Sequence, residues 1–118
     1  MDIKAIQRQL SEFAKAREWD RFHSPKNLAA ALVVEAAELL EPFQWLGEDE
    51  SRRLADRPAD YAAVCEEIAD VLIYLLRLAD RLDIDLEQAV ADKLRRNAEK
   101  YPVALAKGNA VKYNRRDI

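Results

Sequence analysis

Residues 68–76 form a nearly continuous apolar run in which Asp70 is the only charged residue. Because the chain has only two glycines and four prolines in 118 residues, and good helix formers dominate, this run is predicted to be helical. Apolar side chains would then cover most of the helix circumference, so the helix must be buried on several sides. A four-helix monomer of this size has too few neighbouring helices to bury all of these apolar side chains. The run therefore predicts an all-α four-helix bundle that assembles as an obligate homo-oligomer.

Apolar periodicity and terminal signals predict four main helices. Their approximate ranges are 2–18, 25–41, 58–82 and 86–101. Ser24 and Asp85 are suitable N-caps for the second and fourth helices. Pro42 lacks an N–H group and is expected to end or kink the second helix. A loop is expected over residues 19–23, and a short helical turn or loop over residues 48–57.

One domain is expected over residues 1–118, with a core at about 3–102 and a C-terminal tail at 103–118. The tail is short of apolar residues and is expected to be loosely ordered or packed on a neighbour. Its basic residues are Lys107, Lys112, Arg115 and Arg116.

Composition and charge narrow the class of protein. Lys and Arg number 19 against 22 Asp and Glu, a formal net charge of −3, which is a poor profile for gripping a nucleic-acid backbone. No apolar run approaches the roughly 18 residues that span a bilayer, and the N-terminus does not resemble a signal peptide. The single cysteine, Cys65, suits a reducing compartment. A cytoplasmic protein with no nucleic-acid or membrane partner is therefore expected.

Four acidic residues occur as two pairs with the same spacing. Glu35 and Glu38 lie three residues apart in the second helix, and Glu67 and Asp70 lie three apart in the third. Residues at this spacing share one helix face, so each pair directs two carboxylates to one point. Carboxylates in apolar surroundings repel one another and are costly unless a partner neutralises them. Because Mg²⁺ prefers oxygen ligands, the two pairs predict a magnesium site.

These acids allow two other interpretations. Pairs of this kind are often solvated or salt-bridged, and a non-catalytic helical interaction module would use its arginines and lysines as their partners. Those residues are Arg17, Arg77, Arg81, Lys93 and Arg95. A di-iron bundle is disfavoured, because such sites use Glu-x-x-His pairs and the only histidine, His23, has no such spacing.

The two acid pairs, E-x-x-E at Glu35 and Glu38 followed by E-x-x-D at Glu67 and Asp70, resemble the pattern of the all-α nucleoside triphosphate pyrophosphohydrolases of the MazG-like superfamily. Four sequence blocks, in order, most closely resemble its small dCTP pyrophosphatase branch. The first block is WDRFHSPKNL at residues 19–28, and the second is FQW at residues 43–45. The third is EIADVLIY at residues 67–74, which contains the second acid pair. The fourth comprises Lys93, Asn97, Lys100, Tyr101 and Pro102. The resemblance covers about residues 3–107.

The resemblance implies Mg²⁺-dependent cleavage of a nucleoside triphosphate between its α and β phosphates, in a helical bundle assembled as a homodimer or homotetramer. It implies metal ligation by Glu35, Glu38, Glu67 and Asp70. Catalytic roles are expected for Glu38, which would orient or deprotonate the attacking water, and for Glu35 and Lys93. The base and sugar would contact Trp19, His23, Trp45, Tyr74 and Asn97. The phosphates would contact Lys93 and Lys100 or Tyr101.

Several residue roles and the base preference stay open on sequence alone. Leu10 stands where the branch is expected to carry a polar residue, so dCTP or modified dCTP is expected but dUTP and damaged nucleotides remain alternatives. Trp19 and Trp45 could stack on a base or anchor the core. Lys93 could face a ligand or extend to solvent. His23 could bond a nucleotide or cap the second helix.

Overall fold

The computed structural model describes residues 1–115, and over these residues the chain contains helices and no strands. The α-helices are α1 (Ile3–Ala16), α2 (Pro25–Leu40), α3 (Glu48–Arg52), α4 (Pro58–Arg81), α5 (Leu86–Lys100) and α6 (Val103–Ala106). Short 3₁₀ turns occupy Asp20–Phe22, Glu41–Phe43, Leu54–Asp56 and Tyr113–Arg115. The all-α fold class and the four main helices are confirmed. In this described part, no helix has the length and apolar character needed to cross a membrane.

The predicted helix starts are confirmed by their capping bonds. The Ser24 hydroxyl accepts a hydrogen bond from the Asn27 N–H at 3.1 Å, and Pro25 occupies the first turn of α2. The Asp85 carboxylate accepts from the Gln88 N–H at 3.1 Å. The end of the first helix was placed too late: α1 ends at Ala16, and Glu18 has a φ of 55°, which an α-helix excludes.

The chain forms two compact units, Met1–Asp83 and Ile84–Ile118. The second unit contains α5, α6 and the 3₁₀ turn at Tyr113–Arg115. The expected tail is therefore partly helical over its described residues. Arg116 lies outside those residues.

In the first unit, α2 packs along α4, and α1 contacts α4 as well. Leu28 of α2 and Leu76 of α4 are the most deeply buried large side chains, at 1% and 2% exposed. Gln7 of α1 is also buried, and its side-chain amide donates a hydrogen bond to the Leu76 carbonyl at 3.0 Å. This bond satisfies a polar group that would otherwise be costly to bury, and it ties α1 to α4.

Candidate active site

Three of the four predicted acids converge where α2 packs on α4. Glu35 and Glu38 lie one helical turn apart on α2, and Glu67 lies on α4. One carboxylate oxygen from each of the three lies within 4.8 Å of the others. The i, i+3 spacing on α2 therefore directs both of its carboxylates to the same point, as the sequence predicted.

Two oxygens of this group, Glu35 Oε2 and Glu67 Oε2, are buried and have no hydrogen-bond partner among the described residues. Carboxylates are acceptors only, unless one of them holds a proton. The close approach of Glu67 is the main cause that raises the pKa of Glu35, followed by burial. The close approach and charge of Glu35 raise the pKa of Glu38. The group thus requires a proton or a cation, and its all-oxygen donor set fits a hard divalent ion such as Mg²⁺.

The fourth predicted ligand, Asp70, lies beside this group rather than within it. Asp70 is half-buried on α4, one turn after Glu67, and its negative charge contributes to the raised pKa of Glu35. The two neighbouring acids, Glu41 and Glu66, are exposed and do not belong to the converging group. The structure therefore separates the inward-facing acids from Glu41, which continues the three-residue spacing, and from Glu66, which adjoins Glu67.

A cavity of about 260 Å³ lies in the same unit, lined by side chains of α1, α4 and the segment between α1 and α2. Its lining comprises Leu10, Phe13, Trp19, His23, Ile73, Tyr74 and Arg77. The volume is slightly below the range of about 300–1,000 Å³ typical of pockets for drug-sized ligands, so it suits one ring system rather than a whole nucleotide. Three predicted base-contacting residues, Trp19, His23 and Tyr74, are brought together here.

The remaining predicted ligand contacts are Trp45, Lys93, Asn97, Lys100 and Tyr101. Trp45 follows the Glu41–Phe43 turn, is 87% exposed and does not line this cavity. In the second unit, Lys93 and Asn97 are exposed on α5. Lys100 places its Nζ 4.7 Å from the centre of the Tyr113 ring, and the Tyr101 ring packs edge-on against Tyr113. Lys100 and Tyr101 thus both contact the C-terminal segment.

The prediction of this cavity missed four lining residues. Sequence analysis linked Leu10 only to base preference and Ile73 only to the apolar run of α4, and it gave Phe13 no role in a site. Arg77 was considered only as a salt-bridge partner. The one available signal was spacing: Arg77 lies three residues after Tyr74, on the same face of α4. The contact of α4 with the Asp20–Phe22 turn depends on tertiary structure, which spacing does not reveal.

Several known proteins are similar in sequence to this chain. The model of the MazG-like family matches residues 30–115. Mouse dCTP pyrophosphatase 1 is 48% identical over 111 residues, covering 94% of this chain and 65% of the relative. Human dCTP pyrophosphatase 1 is 44% identical over 111 residues, covering 94% and 65%. The chain thus spans just under two thirds of the length of these curated relatives.

A solved structure supports the fold independently. The crystal structure of a pyrophosphatase from Archaeoglobus fulgidus DSM 4304 superposes with a TM-score of 0.80 at 44% sequence identity, covering 86% of this chain and 94% of that one. The names of the curated relatives agree with the dCTP pyrophosphatase branch that the four sequence blocks indicated. By its sequence and its helical fold, the chain belongs to the MazG-like family.

Proposed function

We propose that this chain is a Mg²⁺-dependent nucleoside triphosphate pyrophosphohydrolase, which converts a nucleoside triphosphate and water to the monophosphate and pyrophosphate. The observation that carries the proposal is the group formed by Glu35, Glu38 and Glu67, in which two buried oxygens lack a partner. The names of the mouse and human relatives and of the archaeal structure support the same reaction class. Mg²⁺-dependent release of pyrophosphate, and its loss in EDTA, tests the proposal.

Each acid has a definite task in this proposal. The metal would be held by Glu35, Glu38, Glu67 and Asp70, and it would neutralise charge on the triphosphate. Glu38 orients or deprotonates the water that attacks the α-phosphorus. The bond between the α-phosphorus and the bridging oxygen breaks, and pyrophosphate leaves with that oxygen. Lys93, Lys100 and Tyr101 are proposed to contact the phosphates, and Asn97 the sugar.

The cavity beside α1 is proposed to take the base. Its lining is largely apolar and aromatic, which suits a planar ring, and Trp19 supplies a stacking surface at its edge. We propose dCTP or a modified dCTP as the substrate, supported by the names of the curated relatives. Such an activity would remove unwanted nucleotides from the pool, a house-cleaning role. Trp45 is proposed to contact the base from outside this cavity.

We also propose that the chain forms a homodimer or homotetramer. Large apolar side chains stay exposed on one face of α2, where Val33 and Leu40 are 67% and 61% exposed and lie seven residues apart. On α4, Ile68 and Leu75 are 54% and 41% exposed at the same spacing. Residues seven apart share a helix face, and exposed apolar faces of this kind mark interaction surfaces.

Light scattering on the eluted protein should give a mass that is two or four times the 13.5 kDa of one chain. Val33→Asp combined with Ile68→Asp should shift the mass towards that of one chain, since a buried unpaired charge strongly opposes association. Arg52→Asp, which changes charge at an exposed site on α3, serves as the control. A wild-type mass of 13.5 kDa at all accessible concentrations would refute the oligomer.

A further inference from the structure

Arg77 is a buried charged residue at the wall of the cavity. Its side chain is 5% exposed, and three neighbours surround the guanidinium. One terminal nitrogen lies 2.8 Å from the Asp20 carboxylate, and the other lies 3.8 Å from Asp80. The remaining nitrogen, Nε, donates a hydrogen bond to Nδ1 of His23 at 3.2 Å. The two aspartates balance the buried charge, so the arginine is held in place while it contacts the histidine ring.

The contact with Arg77 determines where His23 carries its proton. A guanidinium has donors only, so Nδ1 of His23 must be the acceptor and is unprotonated. A neutral imidazole then carries its hydrogen on Nε2. Burial is the main cause that lowers the pKa of His23, and the positive charge of Arg77 lowers it further, which favours the neutral ring. The His23 ring is thus neutral, and its Nε2–H group is a hydrogen-bond donor.

The Nε2 edge of His23 is available to a ligand. Among the described residues, none forms a hydrogen bond with Nε2, and the side chain lines the cavity. The other polar groups among the lining residues are the Tyr74 hydroxyl, the Trp19 indole N–H and the Arg77 guanidinium, which already bonds His23 and Asp20. A ligand ring in this cavity meets the imidazole donor of His23 in mostly apolar surroundings, where an unmatched polar group is costly.

We propose that Arg77 is a positioning residue for substrate recognition: by holding His23 as the Nε2–H tautomer, it makes the cavity select a base that presents a hydrogen-bond acceptor to that nitrogen. This inference rests on the proposed triphosphate substrate. A pyrimidine with a ring carbonyl or an unprotonated ring nitrogen satisfies the donor, as cytosine does. A base that presents an N–H group at the same point leaves two donors facing each other and is disfavoured.

The kinetic test compares two arginines that both contact His23. Arg77→Met removes the bond to the ring, and we expect KM for dCTP to rise about tenfold with kcat changed less than about twofold, since one buried hydrogen bond is lost. Arg81 is the matched control, because its Nε donates to the backbone carbonyl of His23 at 3.1 Å and it forms no hydrogen bond with the ring, although its charge, like that of Arg77, lowers the pKa of His23. Arg81→Met should change KM less than about twofold. Equal effects of the two substitutions on KM would overturn the inference.

Nitrogen-15 NMR supplies a readout that a purely structural arginine would not affect. His23 is the only histidine in the chain, so its ring signals need no assignment to a residue, and their couplings to the two ring carbon protons distinguish Nδ1 from Nε2. The wild type should show unprotonated Nδ1 and protonated Nε2. The Nε2 proton should shift with α,β-imido-dCTP but not with inorganic tripolyphosphate, which lacks a base. Arg77→Lys keeps the charge if the methionine variant fails to fold, and it should show a mixture of tautomers because its amine lacks the fixed guanidinium geometry.

Protonated Nδ1 in the wild type, or an Nε2 proton that does not respond to α,β-imido-dCTP, would refute the role of Arg77. These NMR results do not depend on turnover. If the wild type releases no pyrophosphate from any triphosphate, the proposed function fails, while the NMR experiment still decides whether Arg77 sets the tautomer and whether the cavity binds the base. If turnover is normal and the tautomer is unchanged in Arg77→Met, only the inference about Arg77 fails.

Discussion

Glu38→Gln is expected to lower kcat for pyrophosphate release by about 10²–10⁴-fold, the range for loss of a general base, while the protein still folds. Glutamine has the size of glutamate but neither its charge nor its basicity. Because the neighbouring Glu35 raises the pKa of Glu38, the ionised pair is unfavourable in the folded protein without metal. The metal-free variant should therefore melt at or above the temperature of the metal-free wild type, a gain in stability at the cost of function.

Glu41→Gln is the matched control for this experiment. Glu41 continues the same spacing by another three residues but is exposed and lies outside the group of converging acids. Its replacement should leave kcat within about twofold, as expected for a surface residue. Turnover of Glu38→Gln at the wild-type rate, or equal losses in the two variants, would remove Glu38 from the mechanism.

Leu76→Ala is expected to destabilise the fold by about 2–5 kcal/mol, the usual cost of truncating a buried leucine. Leu76 is 2% exposed and lies on α4, where few large side chains are fully buried. The substitution retains the main-chain carbonyl that accepts the hydrogen bond from Gln7, so the loss measures side-chain packing alone. Urea denaturation monitored by circular dichroism gives the free energy of unfolding for both proteins.

Tyr61→Ala provides the comparison for this measurement, because it truncates a larger side chain on the same helix that is 51% exposed. Its free energy of unfolding should change by about 0.5 kcal/mol or less. If Leu76→Ala costs no more than Tyr61→Ala, then the contacts of α1 and α2 with α4 do not form the core described here.

The helices were predictable because their signals are local. Ser24 and Pro25 define the start of α2 through one side-chain hydrogen bond and one fixed φ angle, and both features can be inferred from sequence. The 3₁₀ turn at Asp20–Phe22 was expected as a plain loop. Its conformation accompanies the ion pair between Asp20 and Arg77, a contact across 57 residues that no local pattern contains.

In the candidate site too, the features that depend on local sequence were predictable and those that depend on tertiary contacts were not. The convergence of Glu35, Glu38 and Glu67 follows from helix periodicity and from the packing of two adjacent helices, and it was predicted. The cavity was predicted only through the family resemblance, which supplied Trp19, His23 and Tyr74. Sequence reasoning did not assign Arg77 to it. A charged residue in an apolar helix indicates a buried partner, but which partner it meets depends on tertiary structure.

The most direct test of the proposed activity is pyrophosphate release from a panel of natural and modified nucleoside triphosphates, measured with Mg²⁺ and again with EDTA. We expect Mg²⁺-dependent release that favours dCTP or a 5-substituted analogue, with no release in EDTA. Preference for dUTP or a damaged nucleotide would agree with the proposed metal site but would refute the proposed preference for cytosine. No release from any triphosphate, by folded protein with Mg²⁺, would contradict the proposed activity and favour a non-catalytic interaction module.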